Sequence, residues 1–345
     1  MVQSIGAFNI YDHPGTPVID VRSPAEYLVG HIPDAINLPL FDNEERALVG
    51  TRYNKAGKDA GFLLGLEIAG PKLAGYVKKL NSLFPVHSPL ILYCWRGGLR
   101  SNAMAWLFDK AGHDVSVIHG GYKGFRSFIR EQITYAWQYR IIGGMTGSGK
   151  TDTLRYLSEM GEQVVDLEAL ACHKGSVFGH LGQDEQPTNE NFENELWEKL
   201  RQLDPLKPVY LEDESRSIGK VSLPDSLYIR MQLSPLYLLE VAPGIRVKRL
   251  VEEYGCFTTK ELLENIQKLA KYIGGDIHSV ITNAVKEGDL TKAAELLLHY
   301  YDRKYSESIM RVNDRFIISV EGCTGDCRHN AELILEKSSD ITEKE

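Results

Sequence analysis

The centre of the chain reads Gly144-Met145-Thr146-Gly147-Ser148-Gly149-Lys150-Thr151. This stretch fits the phosphate-loop pattern G-x-x-x-x-G-K-[ST]. In that pattern glycines let the backbone wrap phosphate oxygens, the lysine supplies a positive charge, and the final hydroxyl can bind Mg²⁺. Residues 139–143 before it are typical of a strand, and residues 152–157 after it continue as a helix. Because strand, loop and helix stand in the order that the motif requires, we predict an α/β phosphate-binding domain over residues 138–345.

A second loop with reactive chemistry lies upstream and reads Cys94-Trp95-Arg96-Gly97-Gly98-Leu99-Arg100-Ser101. It follows a predicted strand, residues 90–93, and a helix is predicted to begin near Ser101. The two glycines let the loop curl with its N–H groups pointing inward. Positive charge comes from the helix N-terminus and from two candidate residues, Arg100 and Arg96. These surroundings predict a nucleophilic thiolate at Cys94, with a pKa below the usual ~8.5. They also predict a pocket for an oxyanion.

Further strands of the second domain are predicted to end in charged residues near the phosphate loop, because ligands of open α/β sheets gather at the C-terminal strand ends. Residues 163–168 and 208–216 are two such strands, and residues 238–254 indicate a strand followed by a helix. The candidate acids and lid arginines are Asp166, Glu212, Asp213, Glu214, Arg216, Arg246 and Arg249. The acids could hold a metal or be solvated strand ends, and no metal site is assigned with certainty. Residues 259–298 have helical apolar spacing and predict a helical tail.

Composition favours an ordinary cytoplasmic protein of about two domains. The chain has 345 residues, 43% of them hydrophobic, and no apolar run approaches the ~20 residues of a membrane helix. The N-terminus predicts no signal peptide, and five scattered cysteines favour a reducing compartment. The net charge of −8 argues against indiscriminate nucleic-acid binding. It does not exclude RNA, which needs only a local basic face.

The N-terminal domain, predicted over residues 1–132 with alternating strands and helices of the doubly wound type, resembles the rhodanese family. Residues 20–27 and 30–37 resemble the N-terminal rhodanese signature, and Cys94 occupies the sulfur-carrier position. By this resemblance Asp20, Arg22 and His31 support the fold. One departure concerns the loop, because five residues separate Cys94 from Arg100, whereas typical sulfurtransferase loops enclose four. The wider loop resembles that of rhodanese-like dual-specificity phosphatases and would accept a larger atom or oxyanion.

The fusion of a rhodanese domain to a P-loop domain resembles the tRNA 2-selenouridine synthase family, and residues 173–179, 186–193 and 212–219 fit the same family. The resemblance covers nearly the whole chain. It implies that wobble 2-thiouridine of certain tRNAs becomes 2-selenouridine, with selenophosphate as donor and an S-geranylated intermediate made from geranyl diphosphate. It further implies that the Lys150 loop binds the prenyl diphosphate, and that Cys94 is a selanyl carrier or a positioned nucleophile. A selenophosphate-producing enzyme is an expected partner, and Mg²⁺ an optional cofactor.

Two alternatives remain open from the sequence. One is an ATP-dependent small-molecule kinase with a regulatory rhodanese module, which ATP turnover without tRNA would favour. The other is a non-enzymatic sulfur-relay or RNA-binding adaptor, which an intact phenotype after loss of Cys94 would favour.

Overall fold

The computed structural model describes residues 2–135, 137–311 and 315–342. The first residue of the predicted N-terminal domain, residue 1, and the last three of the predicted second domain, residues 343–345, lie outside the described residues. The chain divides into two compact units. One comprises Met1–Ile133 with Glu193–Glu198, and the other comprises Thr134–Phe192 with Lys199–Glu345.

The first unit is a parallel sheet with helices around it. Its strands are β1 (Gln3–Ile5), β2 (Val18–Asp20), β3 (Ile36–Asn37), β4 (Pro89–Tyr93) and β5 (Asp114–Ile118). Its helices are α1 (Pro24–Val29), α2 (Asn43–Ala69), α3 (Leu73–Leu83), α4 (Leu99–Lys110) and α5 (Gly121–Ile133), with short 3-10 turns at Phe8–Asp12 and Gly70–Lys72. The strand order is β1-β5-β4-β2-β3, and the pairings are parallel. The predicted doubly wound α/β architecture is confirmed.

Local sequence explains where these elements begin and end. Ser23 caps α1 in a reciprocal capping box with Glu26, as its sequence predicts. Strand β4 is buried over its last four residues, as expected for a central parallel strand covered on both faces. Helix α2 was not predicted, and it is broken at Gly57, where φ is 88° and ψ is 176°. Helix α4 begins at Leu99, slightly before the predicted start.

The second unit contains the phosphate loop and a second parallel sheet. Its strands are β6 (Gln138–Gly144), β7 (Gln163–Val164), β8 (Pro208–Glu212), β9 (Ser217–Ile218), β10 (Val221–Ser222), β11 (Leu236–Leu239) and β12 (Ile317–Val320). Its helices are α6 (Lys150–Glu159), α7 (Leu167–Leu170), α8 (Asn189–Leu200, partly in the first unit), α9 (Asp225–Leu233), α10 (Pro243–Tyr254), α11 (Thr259–Ile273), α12 (Gly275–Glu287), α13 (Leu290–Met310) and α14 (Cys327–Thr342). The sheet order is β12-β11-β6-β8-β7, with parallel pairings, while β9 and β10 form an antiparallel ribbon.

The structure corrects three predicted strands of this unit. The strand predicted at the start of residues 238–254 begins two residues earlier and is β11, Leu236–Leu239. The strand predicted over residues 163–168 ends at Val164, because the Asp166 carboxylate accepts a hydrogen bond from the Ala169 amide at 2.7 Å and starts α7. The strand predicted over residues 208–216 ends at Glu212. The predicted helical tail is present as α11, α12 and α13. The chain then returns to the sheet as β12, beside β11.

Candidate cysteine loop and phosphate site

The cysteine loop lies between β4 and α4, and it surrounds the Cys94 thiol with groups that stabilise a thiolate. Cys94 is only 3% exposed. Burial alone would raise the pKa of its thiol. The Ser101 hydroxyl, 3.2 Å from Sγ, opposes this effect together with the amides of Ser101 and Arg96 and the charge of Arg100, so the pKa is held below its usual value. The predicted thiolate environment is therefore present at Cys94.

The carbonyl groups of the same loop have partners elsewhere. The Cys94 carbonyl accepts from the Tyr122 amide at 2.8 Å, and the Trp95 carbonyl accepts from the Lys123 amide at 2.9 Å. The Asn102 side-chain amide donates to the Gly97 and Gly98 carbonyls at 3.1 and 2.9 Å. A loop whose carbonyls are occupied in this way presents N–H groups to its concave side, which suits an anion.

Close packing of two backbone segments fixes the shape of the loop. Gly97 has a φ of 62°, and a Cβ added there would lie 2.5 Å from the Ile118 carbonyl oxygen. A Cβ added at Gly121 would lie 2.2 Å from the Cys94 carbonyl oxygen. Both positions therefore require glycine.

Two arginines in and near the loop are held by acidic partners. Arg100 donates to the Glu26 carboxylate through Nη1 at 2.6 Å and Nη2 at 3.2 Å. Arg22 is buried, forms an ion pair with Asp20 at 2.6 Å, and lies over the Tyr122 ring. These contacts agree with the supporting role predicted for Asp20 and Arg22. Arg96 is exposed.

The phosphate loop joins β6 to α6, and its geometry also depends on glycine. Gly147 and Gly149 have φ angles of 80° and 79°. A Cβ added at Gly147 would lie 2.9 Å from the Arg246 carbonyl oxygen. Lys150 begins α6, and its Nζ donates to the Gly144 carbonyl at 3.1 Å. Of the predicted loop residues, Ser148 is buried. The other six line one large cavity: Gly144, Thr146, Gly147, Gly149, Lys150 and Thr151.

Two glutamates face Lys150 and Thr151 across this cavity. The Thr151 hydroxyl donates to Glu168 Oε2 at 3.0 Å, and the carboxyl groups of Glu168 and Glu214 hydrogen-bond to each other. Burial and the charge of Glu168 raise the pKa of Glu214 to about 8, and burial also raises the pKa of Glu168. The pair therefore shares a proton near neutral pH. Sequence reasoning chose Glu214 but missed Glu168, although it lies only two residues beyond the candidate Asp166.

The remaining candidate acids have structural partners. Asp166 caps α7. Glu212 is fully buried and accepts a hydrogen bond from the Leu167 amide at 3.0 Å. Burial and nearby carboxylates hold its pKa well above the usual value, which favours the protonated form of Glu212. Asp213 accepts from Arg315 Nη2 at 2.6 Å and from the Tyr305 hydroxyl at 2.9 Å.

The three candidate arginines differ in position. Arg246 is buried, pairs with both carboxylate oxygens of Asp302 at 2.8 Å, and donates to the Thr146 carbonyl at 3.2 Å, which braces the phosphate loop. Arg249 lines the cavity and pairs with Asp152 at 2.7 Å. Arg216 pairs with Asp225 in an exposed position. It is not among the side chains that line the cavity.

The cavity has two kinds of wall and a volume of about 1110 Å³. Its polar wall carries the phosphate loop with Glu168 and Glu214. Its apolar wall comes from the loop after α7 and from α11, α12 and α13, and includes Phe178, Leu262, Ile266, Val285, Leu290 and Leu298. Sequence reasoning did not place these helices against the phosphate loop, since only the tertiary structure brings them there.

The described parts of the chain contain no cluster of three or more His, Cys, Asp or Glu side chains arranged to hold a metal ion. No helix within those parts is long and apolar enough to span a membrane.

The fold and the two loops define a protein that joins a rhodanese-like domain to a P-loop domain in one chain. A family profile described as a rhodanese-like domain matches residues 9–128, and one described as the tRNA 2-selenouridine synthase AAA domain matches residues 137–332. The tRNA 2-selenouridine synthase of Shewanella loihica is 37% identical over 88% of this chain and 90% of its own length. That of Cupriavidus pinatubonensis is 38% identical over 79% of this chain and 75% of its own length. The chain belongs to the tRNA 2-selenouridine synthase family.

Proposed function

We propose that the chain converts wobble 2-thiouridine of tRNA to 2-selenouridine in two steps. The phosphate site transfers a geranyl group from geranyl diphosphate to the thiocarbonyl sulfur. The cysteine loop then directs selenium from selenophosphate to C2, and the geranylthio group leaves. The observation that carries the geranyl step is the cavity in which a phosphate loop adjoins an apolar wall.

The first step needs help mainly at the leaving group. The sulfur of 2-thiouridine attacks C1 of the geranyl group, the C–O bond to the diphosphate breaks, and the ring loses its N3 proton. Negative charge develops on the departing diphosphate, where the loop amides and Lys150 can stabilise it. The alkylated sulfur is then a better leaving group for the second step than a thiocarbonyl.

The apolar wall supports a prenyl diphosphate over ATP as the ligand. The phosphate loop recognises phosphates through backbone amides and Lys150, so the choice of ligand depends on the adjoining surface. Aliphatic side chains of α11, α12 and α13 provide a surface that gains free energy from burying a ten-carbon chain, at about 0.8 kcal/mol for each methylene.

The oxygen donors of the polar wall fit Mg²⁺. Thr151, Glu168 and Glu214 would hold the ion together with diphosphate oxygens, since Mg²⁺ is commonly bound by one or two carboxylates and substrate phosphates. When bound, the ion would neutralise part of the diphosphate charge. We place the reaction in the cytoplasm, where tRNA and a selenophosphate-producing enzyme would supply the substrates.

The test compares geranyl diphosphate and ATP at matched concentrations, using wild type and Lys150→Ala. Nucleosides from thiolated tRNA are analysed by mass spectrometry. We expect the wild type to form S-geranyl-2-thiouridine. Lys150→Ala should lose about 3 kcal/mol of transition-state stabilisation, roughly a hundredfold in rate.

Lys207→Ala is the matched control, because Lys207 is exposed before β8 and does not line the cavity. It should retain the wild-type rate. Tight ATP binding with hydrolysis, and no response to geranyl diphosphate, would instead identify a kinase.

A further inference from the structure

We propose that Cys94 attacks the phosphorus of selenophosphate rather than its selenium, so that the loop releases hydrogen selenide for transfer to the tRNA. This inference rests on the proposed function, and it assigns Cys94 a phosphoryl-transfer role within it. The cysteine becomes a transient phosphocysteine and never carries selenium.

Electron balance favours attack at phosphorus. Selenium in selenophosphate is already at the selenide level, whereas selenium bonded to a cysteine sulfur is more oxidised by two electrons. A selanyl group on Cys94 would therefore require an oxidant, and the proposed reaction supplies none. When the Cys94 thiolate attacks the phosphorus of selenophosphate protonated on selenium, the S–P bond forms, the P–Se bond breaks, and the electron pair of that bond leaves on the hydrogen selenide anion. No atom changes its oxidation state.

The loop has the features that a phosphoryl group needs. Five residues separate Cys94 from Arg100, which makes the loop wide. The Cys94, Trp95 and Gly97 carbonyls have partners outside the loop, and the Gly98 carbonyl accepts from Asn102 and from the Ser101 hydroxyl. The loop N–H groups can therefore face the three phosphoryl oxygens. Helix α4, which starts at Leu99, adds the positive end of its dipole.

Arg100 and Glu26 complete this site. The guanidinium has five N–H donors in a fork that matches phosphate oxygens, and Glu26 accepts from Nη1 and Nη2 and thereby fixes its direction. Glu26 remains ionised, because the Arg100 contact outweighs burial and lowers the pKa of its carboxyl. Glu26 is therefore not a proton donor to the leaving group. Selenophosphate protonated on selenium carries this proton out with the leaving group, and the resulting hydrogen selenide anion is a weak base that needs no further proton.

The second half of the cycle uses the Ser101 hydroxyl. Water attacks phosphocysteine, the P–S bond breaks, and the thiolate of Cys94 leaves with inorganic phosphate as the other product. Ser101 Oγ lies 3.2 Å from both Sγ and the Gly98 carbonyl oxygen, so its proton can turn from that carbonyl to the departing thiolate. The released hydrogen selenide attacks C2 of S-geranyl-2-thiouridine, its proton moves to N3, and geranylthiolate leaves.

The experiment uses the full chain, pre-geranylated tRNA, and selenophosphate radiolabelled either at phosphorus or at selenium. Reactions are quenched rapidly under denaturing conditions, and the Cys94 peptide is isolated. We expect phosphorus label on that peptide and no selenium label. At a pH above the midpoint of Cys94 ionisation in the variant, Ser101→Ala should accumulate several-fold more phosphorus label than wild type, because the Cys94 thiolate without its Ser101 hydrogen bond is the poorer leaving group.

Two cysteine variants control for adventitious labelling. Cys94→Ser should carry no phosphorus label on that peptide and should form no selenouridine, whereas Cys256→Ser, which changes an exposed cysteine, should be labelled like wild type. Thermal unfolding of each variant checks its fold, and rapid-quench data on the wild type suffice if Ser101→Ala unfolds.

The outcomes separate the inference from the proposed function. Selenium on Cys94, or selenouridine formation without any phosphorus label in wild type and Ser101→Ala, would overturn attack at phosphorus while leaving the function intact. Phosphorus label and phosphate release without selenouridine would support the loop chemistry and refute the proposed function.

Discussion

A single hydroxyl group contributes strongly to the reactivity of the cysteine loop. The Ser101 side chain is the largest of the influences that lower the pKa of Cys94, and it acts against burial. The loop residues themselves could be identified from the sequence, because Cys94, Arg100 and Ser101 are neighbours in the chain. The carbonyl contacts that turn the loop amides inward could not, since they depend on Tyr122, Lys123 and Asn102.

We expect Ser101→Ala to raise the pKa of Cys94, because the variant loses a hydrogen bond that favours the thiolate. A lowered pKa keeps the thiolate populated at pH values below the usual thiol range, and the variant loses that advantage. The midpoint should rise by about one pH unit, which corresponds to roughly 1.4 kcal/mol. The midpoint of Cys94 ionisation is measured from the rate of its alkylation by iodoacetamide as a function of pH. An unchanged midpoint would show that the hydroxyl does not act on the thiolate.

At the scale of the element, α13 contacts both parts of the phosphate-site cavity. Its Asp302 pairs with Arg246, and its Tyr305 hydroxyl accepts from the Gly144 amide at 2.9 Å, so the helix braces the phosphate loop. Its Leu297, Leu298 and Tyr301 line the cavity. Periodicity predicted helices in this region of the chain. It could not predict these contacts, because Asp302 meets Arg246 and Tyr305 meets Gly144 only after the chain has folded.

Ala294 of α13 offers a direct test of the apolar wall. It is half-buried and lines the cavity, so Ala294→Phe should occupy space that we assign to the geranyl chain. Displacing about two methylene groups would cost about 1.6 kcal/mol, which weakens geranyl diphosphate binding by roughly tenfold. Calorimetry should show unchanged affinity for inorganic diphosphate.

Ala74→Phe is the matched control, since Ala74 is exposed on α3 of the first unit. It should leave both affinities unchanged. Equal loss of affinity for geranyl diphosphate and inorganic diphosphate in Ala294→Phe would show that the geranyl chain does not bind against the apolar wall.

At the scale of the whole molecule, the chain divides into two units, and each unit contains one of the two loops. The sequence could predict this division, because each loop motif marks its own domain. The long helix α2 and the returning strand β12 were missed. Helix α2 contains the break at Gly57, and β12 is a short strand whose assignment depends on pairing with β11. Such pairings are non-local, and local patterns do not encode them.

The net charge of −8 makes tRNA binding the property of the whole molecule that most needs a test. Arg126 is unsuited to bind phosphates, because it is buried against Glu193 and Asn194. Lys123, by contrast, is exposed beside the cysteine loop, with its amide bonded to the Trp95 carbonyl. We expect the tRNA affinity to fall steeply with salt, since each phosphate contact releases counterions.

Lys123→Ala should reduce the slope of log affinity against log salt concentration by about one, because it removes one phosphate contact. Fluorescence anisotropy with thiolated tRNA, measured over a series of salt concentrations, gives this slope. Lys58→Ala, at an exposed position on α2, should keep the wild-type slope. An affinity that stays constant from low to moderate salt would show that tRNA phosphates are not contacted. An unchanged slope in Lys123→Ala alone would place the contacts on a different face, because the loss of one ion pair with a phosphate must appear in the number of counterions released.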